Sequence, residues 1–286
     1  MRIVVIGANG QLGSEICQQF TQYYDVVGLT HEQIEISDID NVHQAIQSIR
    51  PDVVINTAAY HHVPDCEKNP DVAFKINATG VLNLVKLSHD WKYKLIHFST
   101  DYVFDGTKKS PYIENDQPNP LNIYAISKLN GEMIIKNYCE RYYIIRISGI
   151  YGKIPCRAKG GNFIHTMIKA AKEKEVVKVV NDEILSPTSV YEIARNLPSL
   201  LRSDVFGLYH CVCQGGCSWY DFATVIFDRL KLKTPLQPCS SDQFPTTVKR
   251  PRYSVLENYN LKMLNLDNMS YWKDALIKFL AEDFTR

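Results

Sequence analysis

This 286-residue chain predicts a doubly wound α/β fold on a parallel sheet, and three observations carry that prediction. Short β-branched runs recur through the first half, amphipathic stretches of helical period separate them, and a glycine-rich turn joins the first run to the first such stretch. Strands of a parallel sheet read as continuously apolar because helices cover both faces, whereas the crossover helices keep a polar side. The strands are expected at 3–6, 25–29, 53–56, 95–99 and 142–147, and the helices at 11–23, 41–49, 71–91 and 121–138. Pro51 and Pro70 stand where helices stop or start, since proline has no N–H to give to a helix interior. After Tyr151-Gly152 the pattern loosens into a basic, glycine-containing stretch at 153–162, followed by a helix at 163–174 and a sixth strand at 176–180. A helix at 190–201 and a strand at 208–212 are expected to return to the first layer.

Composition narrows the function classes. Lys+Arg of 32 against Asp+Glu of 31 leaves a net charge of +1, which gives no field to hold nucleic acid. The eight cysteines are scattered, unlike a secreted disulfide framework, and fit reduced thiols in the cytoplasm. Cys211, Cys213 and Cys217 form the tightest group but lack a CxxC pair, so no metal site is expected there. The apolar start at 1–6 is interrupted by Gly7, far short of a membrane span. Neither a membrane nor a nucleic acid is therefore an expected partner.

The most telling segment is Gly7-Ala8-Asn9-Gly10-Gln11-Leu12-Gly13, a GxxGxxG turn between the first strand and the first helix. Such glycines permit a tight turn and close backbone approach to a pyrophosphate, and the helix N-terminus favours its negative charge. A Rossmann-type dinucleotide-binding domain over 1–150 follows, with return segments near 176–212. A smaller, discontinuous C-terminal α+β substrate domain is expected over 151–286. The second strand ends Gly28-Leu29-Thr30-His31, with no carboxylate for the ribose 2′-hydroxyl of NADH and no Arg for the 2′-phosphate of NADPH. Both cofactors stay open, with a lean to NADPH. Thr30, Asp38 and Ile39 are expected around the adenosine, and Ala58, Ala59 and Tyr60, in the run from Asn56 to Tyr60 that closes the third strand, along the cofactor's path.

Tyr124 and Lys128 stand at i and i+4 of an expected helix, on one face and close enough to act together. A free phenol has a pKa of about 10, and a neighbouring ammonium favours the phenolate. The same Lys can hydrogen-bond the nicotinamide ribose. The pair follows a strand that ends Phe98-Ser99-Thr100-Asp101, whose hydroxyl groups could polarise a carbonyl. His61-His62, just past the third strand, have no third ligand in view and are read as outside the chemistry.

At Ser99-Thr100-Asp101-Tyr102-Val103-Phe104-Asp105-Gly106, at Pro120-Leu121-Asn122-Ile123-Tyr124 and at Ser127-Lys128-Leu129-Asn130-Gly131-Glu132, the chain closely resembles the dTDP-4-dehydrorhamnose reductases. These are a branch of the extended short-chain dehydrogenase/reductases. The similarity runs nearly end to end, through Gly7 to Gly13, Asn181 to Thr188 and Lys249-Arg250-Pro251-Arg252-Tyr253-Ser254. The resemblance implies an NADPH- or NADH-dependent reduction of a nucleotide-linked 4-keto-6-deoxysugar, dTDP-4-dehydrorhamnose to dTDP-L-rhamnose. It implies Tyr124 as proton donor, Lys128 as its tuner and ribose anchor, Thr100 as hydrogen-bond donor to the carbonyl, and Ser99 beside the cofactor. Asp101 and Tyr102 would lie near the sugar, with Arg252 toward the substrate and Arg157, Lys159, Lys249 and Arg250 as further donors for its phosphates. Related dehydratases carry Glu where this chain has Tyr102, so the resemblance implies reduction rather than water elimination. The Arg-Thr-Ser-Trp stretch common after the fifth strand reads here Arg146-Ile147-Ser148-Gly149, so a sugar-facing indole is missing. Glu15 matches a position that some members use in a Mg²⁺-linked contact of a homodimer, although a lone carboxylate on a helix is more often solvated. A rival implication is a non-catalytic regulatory subunit like that of methionine adenosyltransferase, which resembles the same reductases.

Overall fold

The computed structural model describes residues 1–156, 160–244 and 248–284. In its first half helices separate every pair of successive strands: β1 (Arg2–Ile6), α1 (Gln11–Phe20), β2 (Asp25–Leu29), α2 (Ile39–Ile49), β3 (Val53–Asn56), α3 (Val63–Lys68), α4 (Pro70–Phe74), α5 (Gly80–Trp91), β4 (Lys94–Thr100), α6 (Ile123–Tyr138) and β5 (Tyr142–Ile147). The second half is shorter-grained: β6 (Ile150–Tyr151), α7 (Phe163–Glu173), β7 (Val177–Val180), β8 (Ile184–Leu185), β9 (Thr188–Ser189), α8 (Val190–Ser203), β10 (Gly207–His210), β11 (Cys217–Ser218), α9 (Trp219–Leu230), β12 (Leu236–Cys239), α10 (Tyr259–Met263) and α11 (Trp272–Asp283).

Six strands form one parallel sheet in the order β10-β5-β4-β3-β1-β2. The period-2 pleat explains why these strands are apolar throughout. Ile3, Val5, Val53, Ile55, Tyr143 and Ile145 face a core shared with Leu12, Ile16 and Phe20 of α1 and with Ile193 and Leu197 of α8. Val4, Ile6, Val54 and Ile144 face the opposite core, with Val42 and Ile46 of α2, Leu84 of α5 and Ile135 of α6. Each such aliphatic side chain contributes about 1.5–3 kcal/mol when fully buried. The chain runs outward from β1 to β2, then restarts at β3 on the other side. That reversal opens a crevice beyond the carboxyl ends of β1 and β3.

Two expectations are corrected. The strand read at 176–180 is not the sixth of the main sheet: β7 pairs with β12 in a separate parallel pair, and β10 extends the sheet beside β5. The helix read across 71–91 is interrupted by a π-helical turn, Lys75–Thr79, between α4 and α5. No helix among the described residues is long and apolar enough to cross a membrane.

Candidate active site

The crevice is the mouth of a cleft of about 1600 Å³ between the sheet and the second half of the chain. A pocket for one small ligand measures roughly 300–1,000 Å³, so this cleft has room for two ligands side by side. Its floor is the glycine turn. Gly7 has φ +82°, and a Cβ there would stand 2.7 Å from Thr57 Oγ1. A Cβ on Gly13 would stand 2.3 Å from the Gly7 carbonyl oxygen. Gly10 is different: it is extended at φ −82°, and its Cβ would meet only the Gly7 carbonyl oxygen, at 3.1 Å. Two glycines are thus required by the turn itself, and the third keeps the cleft side bare. Thr57 braces the turn by donating to the Ile6 carbonyl oxygen at 2.7 Å. The first turn of α1 carries no acidic residue, and the buried Gln11 Oε1 has no hydrogen-bond partner among the described residues. Asn9, Gly10, Gln11, Leu12, Ala58, Ala59 and Tyr60 all line the cleft.

The adenosine end departs from expectation, because Thr30, Asp38 and Ile39 are not part of the cleft wall. Thr30 closes a turn, its carbonyl oxygen accepting from the Gln33 and Ile34 N–H groups and its own N–H donating to Gln33 Oε1. Asp38 caps α2, accepting from the Asp40 and Asn41 N–H groups at 3.0 and 3.2 Å, and Ile39 is the helix's exposed first residue. The turn throws His31, Ile34, Glu35 and Ile36 into the wall instead. A carboxylate therefore reaches this end after all, but Glu35 accepts from the Ser37 N–H and hydroxyl at 2.9 and 2.7 Å and lies 3.5 Å from His31.

Tyr124 lies in the first turn of α6, whose start is held by long-range contacts. Asn122 Oδ1 accepts from the Ala125 N–H, its Nδ2 donates to the Lys249 carbonyl oxygen, and the Ile123 N–H donates to Glu67 Oε1. Asn77, within the π turn, donates to the Tyr60 carbonyl oxygen and to Ser127 Oγ and accepts from the Tyr60 N–H, tying the β3 turn to α6. Burial pushes the Tyr124 phenol well above its ordinary pKa, and the facing Thr100 hydroxyl opposes that shift. The phenol is consequently a protonated donor at neutral pH. Lys128 is fully inside, and its ammonium is brought down to about 8 by burial, against the pull of Glu132. Its Nζ faces His97 Nε2 at 3.1 Å, a partner that the sequence reading did not include. Ser99 turns its hydroxyl toward Glu132, which holds Arg146 through two bonds of 2.8 and 2.7 Å.

The residues expected near the sugar, Asp101, Tyr102 and Arg252, also border the cleft, each with partners of its own. Asp101 is only 3% exposed and accepts from Ser254 Oγ at 2.6 Å, Ser148 Oγ at 2.9 Å and Thr100 Oγ1 at 3.2 Å, so its carboxylate is engaged inside the protein. Burial nevertheless pushes its pKa up to about 6, against those hydroxyl groups. Tyr102 lines the cleft edge-on to Tyr124, with ring centroids 6.3 Å apart. Arg252 reaches the wall but is already paired with Asp242 at 3.0 Å and Asp182 at 3.7 Å. Lys249 and Arg250 line the cleft, whereas Arg157 and Lys159 lie outside the described residues.

An indole faces the cleft although the stretch after β5 has none. Trp219 opens α9 and stacks on Phe163 at 4.5 Å, close to Glu183. Neither aromatic carries a local motif, and only the packing of α7 against α9 joins them. Gly149, where an indole was looked for, has φ +50°, and a Cβ there would press on Leu185 Cδ1 at 2.6 Å. Glu15 stands apart from the cleft and accepts from Gln19 Nε2 at 2.7 Å. Cys211, Cys213 and Cys217 are buried in the larger core. His61 and His62 line the cleft, His61 with Nε2 3.2 Å from Cys156 Sγ.

Comparison with known proteins adds three relatives and one family. The family described as RmlD substrate binding domain matches residues 1–284. The spore coat polysaccharide biosynthesis protein SpsK of Bacillus subtilis (strain 168) is 36% identical over 282 residues, 98% of this chain and 97% of its own. The dTDP-4-dehydrorhamnose reductase of Escherichia coli (strain K12) is 32% identical over 300 residues, covering 100% of this chain and 99% of its own. A solved structure of dTDP-4-dehydrorhamnose reductase from Bacillus anthracis str. Ames, in complex with NADP, matches with a TM-score of 0.94 at 37% identity, over 98% of this chain and 99% of that one.

Proposed function

The chain belongs to the family described as RmlD substrate binding domain, and from that premise we propose that it is an NADPH-dependent reductase of the 4-keto group of dTDP-4-dehydrorhamnose. One observation carries the reading: a glycine cradle and a protonated Tyr124 with a facing Thr100 hydroxyl open into the same cleft. The cradle fits a pyrophosphate, since Gly10 leaves its cleft side bare and the first turn of α1 has no carboxylate. Gly7, Gly10, Gln11 and Leu12 would hold the phosphates, and Lys128 the nicotinamide ribose. When bound, the nicotinamide supplies the hydride that reduces the carbonyl carbon.

The protein's part is alignment and proton supply. Thr100, its hydroxyl turned from Asp101 toward the ligand, and Tyr124 donate hydrogen bonds to the carbonyl oxygen as negative charge develops on it, and Tyr124 delivers its proton there. Burial suits the phenol to this role by keeping the proton in place until the alkoxide forms. Tyr102, Phe163, Trp219 and Arg250 would contact the nucleotide sugar.

The test is turnover. Purified protein with NADPH is offered dTDP-, GDP- and UDP-linked 4-keto-6-deoxysugars while nicotinamide absorbance is followed. The dTDP substrate is expected to be consumed fastest, and Tyr124→Phe to lower kcat by about 10²- to 10⁴-fold with NADPH affinity retained. Absence of turnover with every sugar, together with cofactor binding and capture of a protein partner equally by wild type and Tyr124→Phe, would establish the regulatory-subunit reading instead.

A further inference from the structure

A chain of hydrogen bonds beneath α6 dictates which of its atoms hold protons. Asn56 ends β3, and its Oδ1 lies 3.1 Å from the Ala58 N–H, a group that can only donate. The amide is therefore oriented with Oδ1 toward Ala58, and its Nδ2 donates to His97 Nδ1 at 3.1 Å. Because Nδ1 accepts, the neutral ring carries its proton on Nε2. That atom faces Lys128 Nζ at 3.1 Å. An Nε2–H can donate to a free amine, but against an ammonium it is donor facing donor. Reversing the Asn56 amide only moves the conflict to the Ala58 N–H. All three side chains are buried, and at 3.1 Å no water fits between Nζ and Nε2 to relieve the conflict.

We propose that Asn56 and His97 are positioning residues that favour the free amine of Lys128 over its ammonium in the cofactor-free protein, so that at mildly alkaline pH dinucleotide binding is coupled to uptake of a proton by Lys128 Nζ. The proton comes from solvent and is taken up by the Nζ lone pair. The His97 bond is given up in exchange for acceptor oxygens of the ligand, and no other bond changes. Burial acts in the same direction, and the pull of Glu132 toward the ammonium acts against it. Glu132, one turn along α6, is the charged group acting on Lys128 from its own helix, and it is itself held by Arg146 of β5 and faced by Lys136. From β4 the facing group is His97, whose imidazole burial keeps neutral, and β3 contributes only the uncharged Asn56. The coupling rests on the nicotinamide-cofactor reading above, whereas the orientation of the chain does not.

Two measurements separate the two. In the ligand-free protein, nitrogen-15 NMR of the His97 ring, assigned by its loss in His97→Gln, is expected to show the Nε2–H tautomer; an Nδ1–H tautomer overturns the proposal. Calorimetry of NADPH binding near pH 8 in buffers of different ionisation enthalpy is expected to show proton uptake in wild type. Asn56→Asp replaces the Nδ2 donor with an acceptor, draws the ring proton to Nδ1 and frees Nε2 to accept from the ammonium. Its uptake midpoint is expected about one unit higher, with uptake at the original pH at least halved. His97→Gln, whose amide can turn either way, is expected to lose uptake as well. Unchanged uptake in both folded variants overturns the coupling, since a merely structural role would alter melting or affinity but not proton stoichiometry. If wild type binds no NADPH, the functional reading fails while the tautomer still decides the hydrogen-bond chain.

Discussion

The two ends of the cleft are built by opposite means. The dinucleotide end is seven consecutive residues whose work is done by backbone and by absent side chains: Gly7 and Gly13 have no room for a Cβ, and Gly10 leaves its outer side bare. The end that the proposed function gives to the sugar nucleotide is made of side chains, with Tyr102, Phe163, Glu183, Trp219 and Arg250 arriving from separate segments. A site encoded in backbone tolerates little and announces itself locally. A site encoded in side chains depends on every turn that delivers them.

That contrast can be broken at either end. The largest effect is expected within the glycine turn, where Gly13→Val drives a Cβ into a backbone oxygen at 2.3 Å and should cost the fold itself, read as loss of cooperative melting. Gly10→Val, in an extended conformation that valine adopts, should melt within a few degrees of wild type yet bind NADPH about 100-fold more weakly, or about 2.8 kcal/mol, by calorimetry. Equal damage from both would mean that Gly10, too, serves only the turn.

Asp101 sharpens the other side. Its folded pKa is pushed up to about 6 from an ordinary 3.8, so the folded state binds this proton more tightly than the unfolded chain. The stabilisation is full below the unfolded value and is lost as the pH rises through 6. Urea unfolding at pH 4 and pH 7 should show wild type losing about 2–3 kcal/mol relative to Asp101→Asn across that window. A difference that stays constant with pH would mean that the three hydroxyl groups balance burial, and one of opposite sign that they outweigh it. The smallest effect is expected from Trp219→Ala: KM for the nucleotide sugar up about 10-fold, roughly 1.4 kcal/mol, with kcat and NADPH affinity unchanged. A change in NADPH affinity instead would move the indole to the cofactor end.

The same contrast explains what the sequence made legible. β1 to β5 stand within a residue or so of where their apolar runs place them, because a strand covered on both faces has one hydropathic signature. Tyr124, Lys128 and Thr100 converge because helix periodicity and the end of β4 are local facts. Asp38 misled because a residue beyond a strand reads equally as lying under the adenine and as a helix cap, and its bonds to Asp40 and Asn41 are those of a cap. Glu35 was overlooked because a turn separates it from the strand end. Trp219 and Phe163 have no period or motif to mark them, and β7 could not be told from a main-sheet strand because pairing partners are not written in a strand's own composition.

The late arrival of β10 has a consequence for how the protein is made. Until His210 has emerged from the ribosome, β5 is a bare edge, with the backbone groups of Tyr143 to Arg146 on one side unpaired, and for most of that time α8, which ends at Ser203, is not yet there to cover the sheet beneath. At about 5–20 residues per second, translation from β5 to β10 takes roughly 3–12 s. Throughout that interval the nascent sheet presents a sticky margin to any neighbouring chain on the same message. The first 150 residues, for all their self-contained appearance, describe a ligand-binding region rather than a fragment that could be expressed alone.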